Sequence, residues 1–125
     1  SSGEEPDLFA TEAQSTSFRG IDGHELVSDL EMRVCTWLCL AQLVHAHHRS
    51  LPSEEAFQAD FYLPEASVYI DCWDDHVPAS ELKAKLRKRE IYKVLELKVI
   101  EINATDAERL DEVLGRGLLA FGIRR

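Results

Sequence analysis

The sequence predicts an α/β domain in which helices cover a small mixed β-sheet. Three observations favour this class: an apolar period of three and four residues in the first third of the chain, two alternating segments around a short turn, and a later alternating segment between two helical ones. The predicted order is helix, strand, strand, strand, helix, strand and helix, which packs as helices against a sheet. A chain of 125 residues supports one core. We therefore expect a single domain over residues 21–125.

The first third of the chain predicts a tail, a helix and a strand. Residues 1–20 mix Ser, Thr, Glu and Gly with little periodicity, which is typical of a flexible tail. A helix is expected over about residues 26–42, and residues 43–49 predict a first strand. The apolar stripe of this helix comprises Val27, Leu30, Val34, Trp37, Leu38, Ala41 and Val44.

The next two strands form a predicted hairpin. Residues 57–63 and 67–73 alternate between apolar and polar, and a turn centred on Glu65 and Ala66 would place Asp60 opposite Asp71. Directly opposed side chains lie ~5 Å apart, and like charges there oppose pairing. A divalent cation between the two carboxylates is the expected compensation. Alternation assigns one apolar face to Phe57, Ala59, Phe61, Leu63, Val68, Ile70 and Cys72.

The remaining elements are predicted from helix start and stop residues and from the spacing of apolar residues. Pro78 precedes a helix predicted over about residues 80–93, and residues 95–102 largely alternate as a last strand. The segment from Thr105 to Glu108 is typical of a capping box that starts a terminal helix, and Gly122 is expected to stop it.

Charge gives an ambiguous indication about partners. A net charge of −9 argues against nucleic acid, but residues 1–31 hold eight acids against one base, and the rest of the chain is nearly balanced. The second predicted helix favours contact with a phosphate backbone, although an ordinary solvated surface explains it equally well. Its basic residues are Lys83, Lys85, Arg87, Lys88, Arg89 and Lys93.

The odd number of cysteines, three, predicts buried free thiols in a reducing compartment. No apolar run approaches the ~20 residues of a membrane-spanning helix, and we expect a cytoplasmic protein with no membrane partner. His45, His47 and His48 sit near Cys39 and raise a zinc hypothesis, but the spacing fits no regular zinc pattern. A strand with partly exposed histidines is favoured, with His48 at the border of the acidic site.

Three segments carry a motif in order along the chain. They are Asp22 to Glu31, Asp60-Phe61-Tyr62-Leu63-Pro64 and Tyr69-Ile70-Asp71-Cys72-Trp73. This pattern resembles the restriction-endonuclease-like PD-(D/E)XK nuclease superfamily, in particular a bacterial branch whose catalytic lysine lies on the following helix. The chain departs from the general signature at Ala59, where the superfamily has proline, and at Trp73, where it has lysine.

The resemblance implies a restriction-endonuclease-like αβββαβα core and Mg²⁺-dependent hydrolysis of DNA phosphodiesters, with Mn²⁺ as the other candidate ion. Asp60 and Asp71 are the implied metal ligands, with Glu31 as a third or outer ligand. Lys88, or otherwise Lys85, would supply the catalytic ammonium from the helix after the hairpin. The ion would polarise the scissile phosphate and lower the pKa of an attacking water.

The rival hypothesis is a catalytically degenerate nuclease-like module that binds DNA or protein within a larger protein. Trp73, Asp74 and the His47-His48 pair favour it, while the acids and Lys88 favour the enzyme. A regulatory metal sensor that uses the histidines and cysteines is a third hypothesis. Each site residue also has an explanation without a metal. Asp60 and Asp71 are explained as solvated acids on an exposed sheet face, and Glu31 as the capping-box partner of Ser28. The sequence leaves open the oligomeric state, including a homodimer that cuts both strands.

Overall fold

The computed structural model describes residues 18–19, 25–26, 28–75 and 77–123 of the chain. In chain order the elements are strands β1 (Phe18–Arg19) and β2 (Glu25–Leu26), helix α1 (Asp29–Leu40), strands β3 (Ala46–Ser50), β4 (Gln58–Leu63) and β5 (Val68–Trp73), helix α2 (Ala79–Val94), strand β6 (Lys98–Asn103), a 3₁₀ helix (Ala104–Arg109) and helix α3 (Leu110–Ala120). No described helix is both long enough and apolar enough to cross a bilayer.

Four of the strands form one mixed sheet in the order β3-β4-β5-β6. The first two pairings are antiparallel and β5 pairs with β6 in parallel. A parallel pair needs a long crossover, and α2 supplies it. The predicted class, mixed α/β with a small mixed sheet flanked by helices, is confirmed. β1 and β2 pair only with each other; the rest of the predicted tail, residues 1–17 and 20, lies outside the described residues.

The hairpin register is the one that the alternation predicts. Tyr62 faces Tyr69, and the flanking pairs are Phe61 with Ile70 and Leu63 with Val68. The turn between the strands occupies residues 64–67. The regular pairing ends at Phe61 and Ile70, and beyond it the Asp60 amide donates to Asp71 Oδ1 at 3.1 Å, so the two acids are neighbours across the hairpin.

Two apolar clusters hold the helices to opposite faces of the sheet. On one face, α1 and α3 pack through Val34, Leu38 and Leu114 against Phe61 and Ile70. On the other face, Ile91 and Tyr92 of α2 pack against Tyr69. Neighbouring strand residues point to opposite faces, so Tyr69 and Ile70 serve different clusters. α2 therefore covers the face that carries the tyrosines.

The expected apolar face of β4 is wrong at one end. Phe61 and Leu63 join the cluster under α1 and α3, but Phe57 and Ala59 pack with the tyrosines under α2. The alternation breaks at Asp60. In the neighbouring strand, the ladder skips His48, whose φ of 53° lies in the left-handed region. A local distortion shared by β3 and β4 thus places Asp60 at an irregular point of the sheet.

Helix ends follow capping chemistry, with one correction. Ser28 caps α1, and Gly122, with φ of 86°, ends the α3 segment as predicted. The amide of Ile123 donates to Leu118 O at 2.9 Å, which is the bond pattern of a glycine-ended helix. The capping box predicted at Thr105 and Glu108 lies two residues earlier, where the Asp106 carboxylate accepts the Asn103 amide at 2.9 Å. The strand runs to residue 103 and so moves the helix start.

Two glycines of α3 offer a matched test of packing. A Cβ on Gly115 would meet nothing within 4 Å, whereas one on Gly117 would lie 2.9 Å from Ile100 Cδ1 in β6. We expect Gly115→Ala to stabilise the fold by about 0.5–1 kcal/mol through helix propensity. Gly117→Ala should stabilise the fold less than Gly115→Ala, because the Ile100 side chain must shift to admit the methyl group and this offsets the same gain. Urea denaturation of both variants checks this, and equal shifts would mean that α3 does not need a close approach to β6.

Candidate functional site: a carboxylate–lysine cluster beside the hairpin

Asp60 and Asp71 hold the two hairpin strands together through their carboxylates. The Asp60 amide donates to Asp71 Oδ1 at 3.1 Å, and the Cys72 amide donates to Asp60 Oδ2 at 2.7 Å. Each carboxylate therefore binds the main chain of the opposite strand. Asp71 is 2% exposed. Burial raises the pKa of Asp71, opposed by the charge of Lys88 and reinforced by that of Asp60.

Two lysines of α2 reach this pair. Lys88 Nζ lies 3.2 Å from Asp71 Oδ1 and donates to Gln58 O at 2.8 Å. Lys85 Nζ lies 4.0 Å from Asp60 Oδ2 and donates to Cys72 O at 2.7 Å. The three-residue spacing of the lysines puts both on one face of the helix. Each acid of the hairpin thus has its own ammonium, and the Lys88–Asp71 pair is the more deeply buried one.

Glu31 projects from the first turn of α1 toward the same place. Its amide is capped by Ser28 Oγ at 3.0 Å, as predicted, but its side chain is only 11% exposed. Glu31 Oε1 has no hydrogen-bond partner among the described residues. Burial, together with the nearby charge of Asp60, raises the pKa of Glu31 to about 7. An unsatisfied buried carboxylate oxygen is costly, and here it faces other acids.

His48 borders the cluster, as one sequence interpretation expected. Its Nε2 atom lies 4.0 Å from Glu31 Oε1, which is beyond hydrogen-bond distance. The backbone of His48, which brings its side chain this close to Glu31, is in the left-handed region.

A cavity of about 340 Å³ opens between the start of α1, the hairpin and α2. Asp60, Glu31 and Lys85 line it, whereas Asp71 and Lys88 do not. Two further acids, Asp74 and Glu81, complete the polar wall. The sequence analysis did not predict either as a site residue: Asp74 was considered only as a feature that favours the binding module, and Glu81 belongs to no motif. The charge of Asp74 contributes to the raised pKa of Glu31.

The structure therefore brings all five sequence-predicted site residues into one region. The predicted acids Glu31, Asp60 and Asp71 do not form a ready three-ligand group. Among the described residues, the only three metal-ligating side chains whose ligand atoms lie within 4.8 Å of one another are Cys35, His45 and His47. The part of the first motif at Asp22, Gly23 and His24 lies outside the described residues.

Four of the six basic residues on α2 form ion pairs with acids of the same chain. Arg87 forms an ion pair with Glu55, and Arg89 binds Glu101 at 2.9 Å. The guanidinium of Arg89 also lies 4.4 Å from the ring centroid of Trp73. Within the described part of the chain, only Lys83 and Lys93 of the six lack an internal ion pair, so the helix offers less free positive charge than its sequence indicates.

Comparison with known proteins gives no relative. No protein-family model, curated protein or solved structure matches the chain.

Proposed function

We propose that the domain is a divalent-cation-dependent nuclease that hydrolyses DNA phosphodiesters, with a restriction-endonuclease-like fold. The order of its main elements, from α1 through β3, β4, β5, α2 and β6 to α3, supports this fold because it is the αβββαβα order that the sequence resemblance implies. The observation that carries the function is the buried Glu31 Oε1, which has no hydrogen-bond partner among the described residues and only His48 Nε2 at 4.0 Å, in a cavity with three other acids. A bound cation would satisfy that oxygen.

The donor set fits a hard cation. Carboxylate oxygens are the ligands that Mg²⁺ and Mn²⁺ prefer, and Glu31 and Asp60 would hold the ion because both line the cavity. Asp71 is committed to Lys88 and to the Asp60 amide, so we assign it to positioning Asp60. When bound, the ion would polarise a phosphate oxygen and lower the pKa of a water molecule.

The other roles in the reaction fall to charged side chains of the cluster. In the metal-free protein, burial and the charge of Asp60 raise the pKa of Glu31 to about 7, and a bound cation would favour the ionised carboxylate that serves as its ligand. Lys85 lines the cavity, and its ammonium can face a phosphate and offset developing negative charge. Lys88 is 7% exposed and bonded to Gln58 O and Asp71. We therefore assign the substrate-facing role to Lys85 and the supporting role to Lys88, reversing the sequence-based preference.

One observation favours the second candidate, a binding module without catalysis. Both lysines already donate to main-chain carbonyl oxygens, Lys85 to Cys72 O and Lys88 to Gln58 O. An ammonium held in this way gives up a bond if it turns to a substrate. In such a module the acidic cavity would bind an ion and the surface would bind DNA or protein, but no phosphodiester would be cut.

Calorimetric titration of Mg²⁺ and of Mn²⁺ tests the cation site. We expect wild type to bind one ion, and Glu31→Gln and Asp60→Asn each to lose at least tenfold in affinity, because a ligand charge is removed while the shape is kept. The exposed turn residue Glu65 provides the control, and Glu65→Gln should bind like wild type. Wild type that binds no more tightly than Glu31→Gln would refute the site.

Cleavage of plasmid and single-stranded DNA separates the two candidates. A nuclease should lose at least a hundredfold in rate in Asp60→Asn and at least tenfold in Lys85→Ala, since single electrostatic contacts of this kind contribute about 10²–10³. Lys83→Ala, an exposed lysine of the same helix, should cut normally. Ion binding without any cleavage would favour the binding module, and equal cleavage by all variants would indicate a contaminating nuclease.

A further inference from the structure

A thiol and two imidazoles meet where α1 crosses the edge strand of the sheet. Cys35 Sγ lies 3.6 Å from His45 Nε2 and 3.6 Å from His47 Nε2. Cys35 comes from the buried face of α1, fully enclosed, while the histidines are partly buried beside β3. The histidines are two residues apart, the spacing that puts side chains on one face of a strand. All three ligand atoms lie within 4.8 Å of one another.

We propose that Cys35, His45 and His47 form a Zn²⁺ site, separate from the carboxylate cavity. Zinc in proteins is tetrahedral, with Zn–S of about 2.3 Å and Zn–N of about 2.0–2.1 Å, so a sulfur and a nitrogen on one ion lie about 3.5 Å apart. Both observed sulfur–nitrogen distances, 3.6 Å, match that edge. Thiolate and imidazole also favour Zn²⁺ over the hard cation proposed for the carboxylates.

The outer contact of His45 suits this role. His45 Nδ1 lies 2.8 Å from Leu43 O, and because a carbonyl only accepts, Nδ1 carries the proton. In the neutral ring Nε2 is then unprotonated, and it lies 3.6 Å from the Cys35 sulfur. Metal-ligating histidines typically donate their other N–H to a carbonyl or carboxylate in this way. Phe61, paired with His47 and 4.8 Å from its ring, forms the apolar floor.

Binding would exchange one proton for the metal. The Cys35 thiol gives its proton to solvent as the thiolate coordinates Zn²⁺, and the neutral imidazoles bind through Nε2 without losing one. Three protein ligands leave a fourth position for water, as in open zinc sites. The ion would tie α1 to β3, an edge strand whose side chains are mostly exposed and which has little apolar packing to hold it.

Co²⁺ titration under reducing conditions tests the site with a spectroscopic readout. A tetrahedral thiolate site gives strong visible absorption and a near-ultraviolet sulfur charge-transfer band, whereas an all-oxygen site gives neither. We expect one equivalent of Co²⁺ to produce both signals and one equivalent of Zn²⁺ to abolish them. Cys35→Ser should lose the charge-transfer band, and His47→Asn, which keeps the buried sulfur, should lose at least tenfold in Co²⁺ affinity.

Matched controls exist beside each ligand. Cys39, one turn after Cys35, and His48, next to His47, lie outside the group, so Cys39→Ser and His48→Asn should keep both signals. Glu31→Gln should keep them too, which separates this site from the nuclease proposal. Wild type that shows no charge-transfer band, or binds Co²⁺ no more tightly than His47→Asn, would overturn the zinc site and leave a thiol hydrogen-bonded to imidazole.

Discussion

Replacement of Lys88 by Met should destabilise the domain by about 3–5 kcal/mol at pH 7, the cost of breaking a buried ion pair by removing one partner. The side chains of Lys88 and Asp71 are 8% and 3% exposed, and their charges lie 3.2 Å apart. Methionine matches the lysine stem but leaves the Asp71 carboxylate and Gln58 O without the ammonium. Urea denaturation followed by circular dichroism measures the loss.

The pH dependence and a second substitution identify the cause of that loss. Without Lys88, burial and the charge of Asp60 still raise the pKa of Asp71, so lowering the pH should relieve part of the penalty. Lys88→Met combined with Asp71→Asn should recover most of the stability, since no unpaired charge remains. Lys83→Met, on the exposed side of the same helix, should change stability by less than about 0.5 kcal/mol. A loss that neither pH nor Asp71→Asn relieves would mean that the lysine stem, not its charge, is what matters.

The hairpin could be predicted because two local signals agree. A period of two fixes which side chains share a face, and a one-residue slip would expose the whole apolar set. The turn around Glu65 and Ala66 sets the same register, and Tyr62 indeed faces Tyr69. The acids followed from this register without any long-range information.

The break in alternation at Asp60 could not be predicted. The left-handed backbone at His48 is uncommon for any residue other than glycine, and no glycine marks the position. The same holds for the ends of α1 and α2, where Gln42 and Glu96 take positive φ. At the two helix ends the cause is local: the Leu43 amide donates to Leu38 O and the Leu97 amide donates to Tyr92 O, the bonds of a helix that ends in a left-handed residue.

The thiol–imidazole group was misread because it depends on how a helix crosses a strand. Sequence proximity pairs the histidines with Cys39, but the buried face of α1 presents Cys35, four residues after Glu31. The rotation of α1 about its own axis, relative to the sheet, decides which cysteine faces β3. The spacing of residues in a sequence motif does not determine that rotation. The roles of the two lysines were uncertain for the same reason: cavity lining is a tertiary property.

Glu31→Gln should make the metal-free protein more stable above pH 7 and leave it unchanged near pH 4. The pKa of Glu31 rises from 4.5 to about 7 through burial and the charge of Asp60. Between these values the folded state keeps a proton that the unfolded state has lost, so stability falls as pH rises through this window. A shift of this size corresponds to ~3 kcal/mol at most. Glutamine removes the titration and with it the penalty.

Thermal unfolding of both proteins from pH 4 to pH 8, in the presence of a chelator, measures this difference. The stability difference between Glu31→Gln and wild type should grow between pH 4.5 and pH 7 and stay constant above pH 7. The exposed control Glu54→Gln should have the stability of wild type at every pH. Adding Mg²⁺ at pH 8 should narrow the difference between Glu31→Gln and wild type, because an ion on the ionised carboxylate stabilises only the wild type. A difference of constant size at every pH would show that Glu31 is not held neutral by its surroundings, and a difference that Mg²⁺ leaves unchanged would count against Glu31 as a metal ligand.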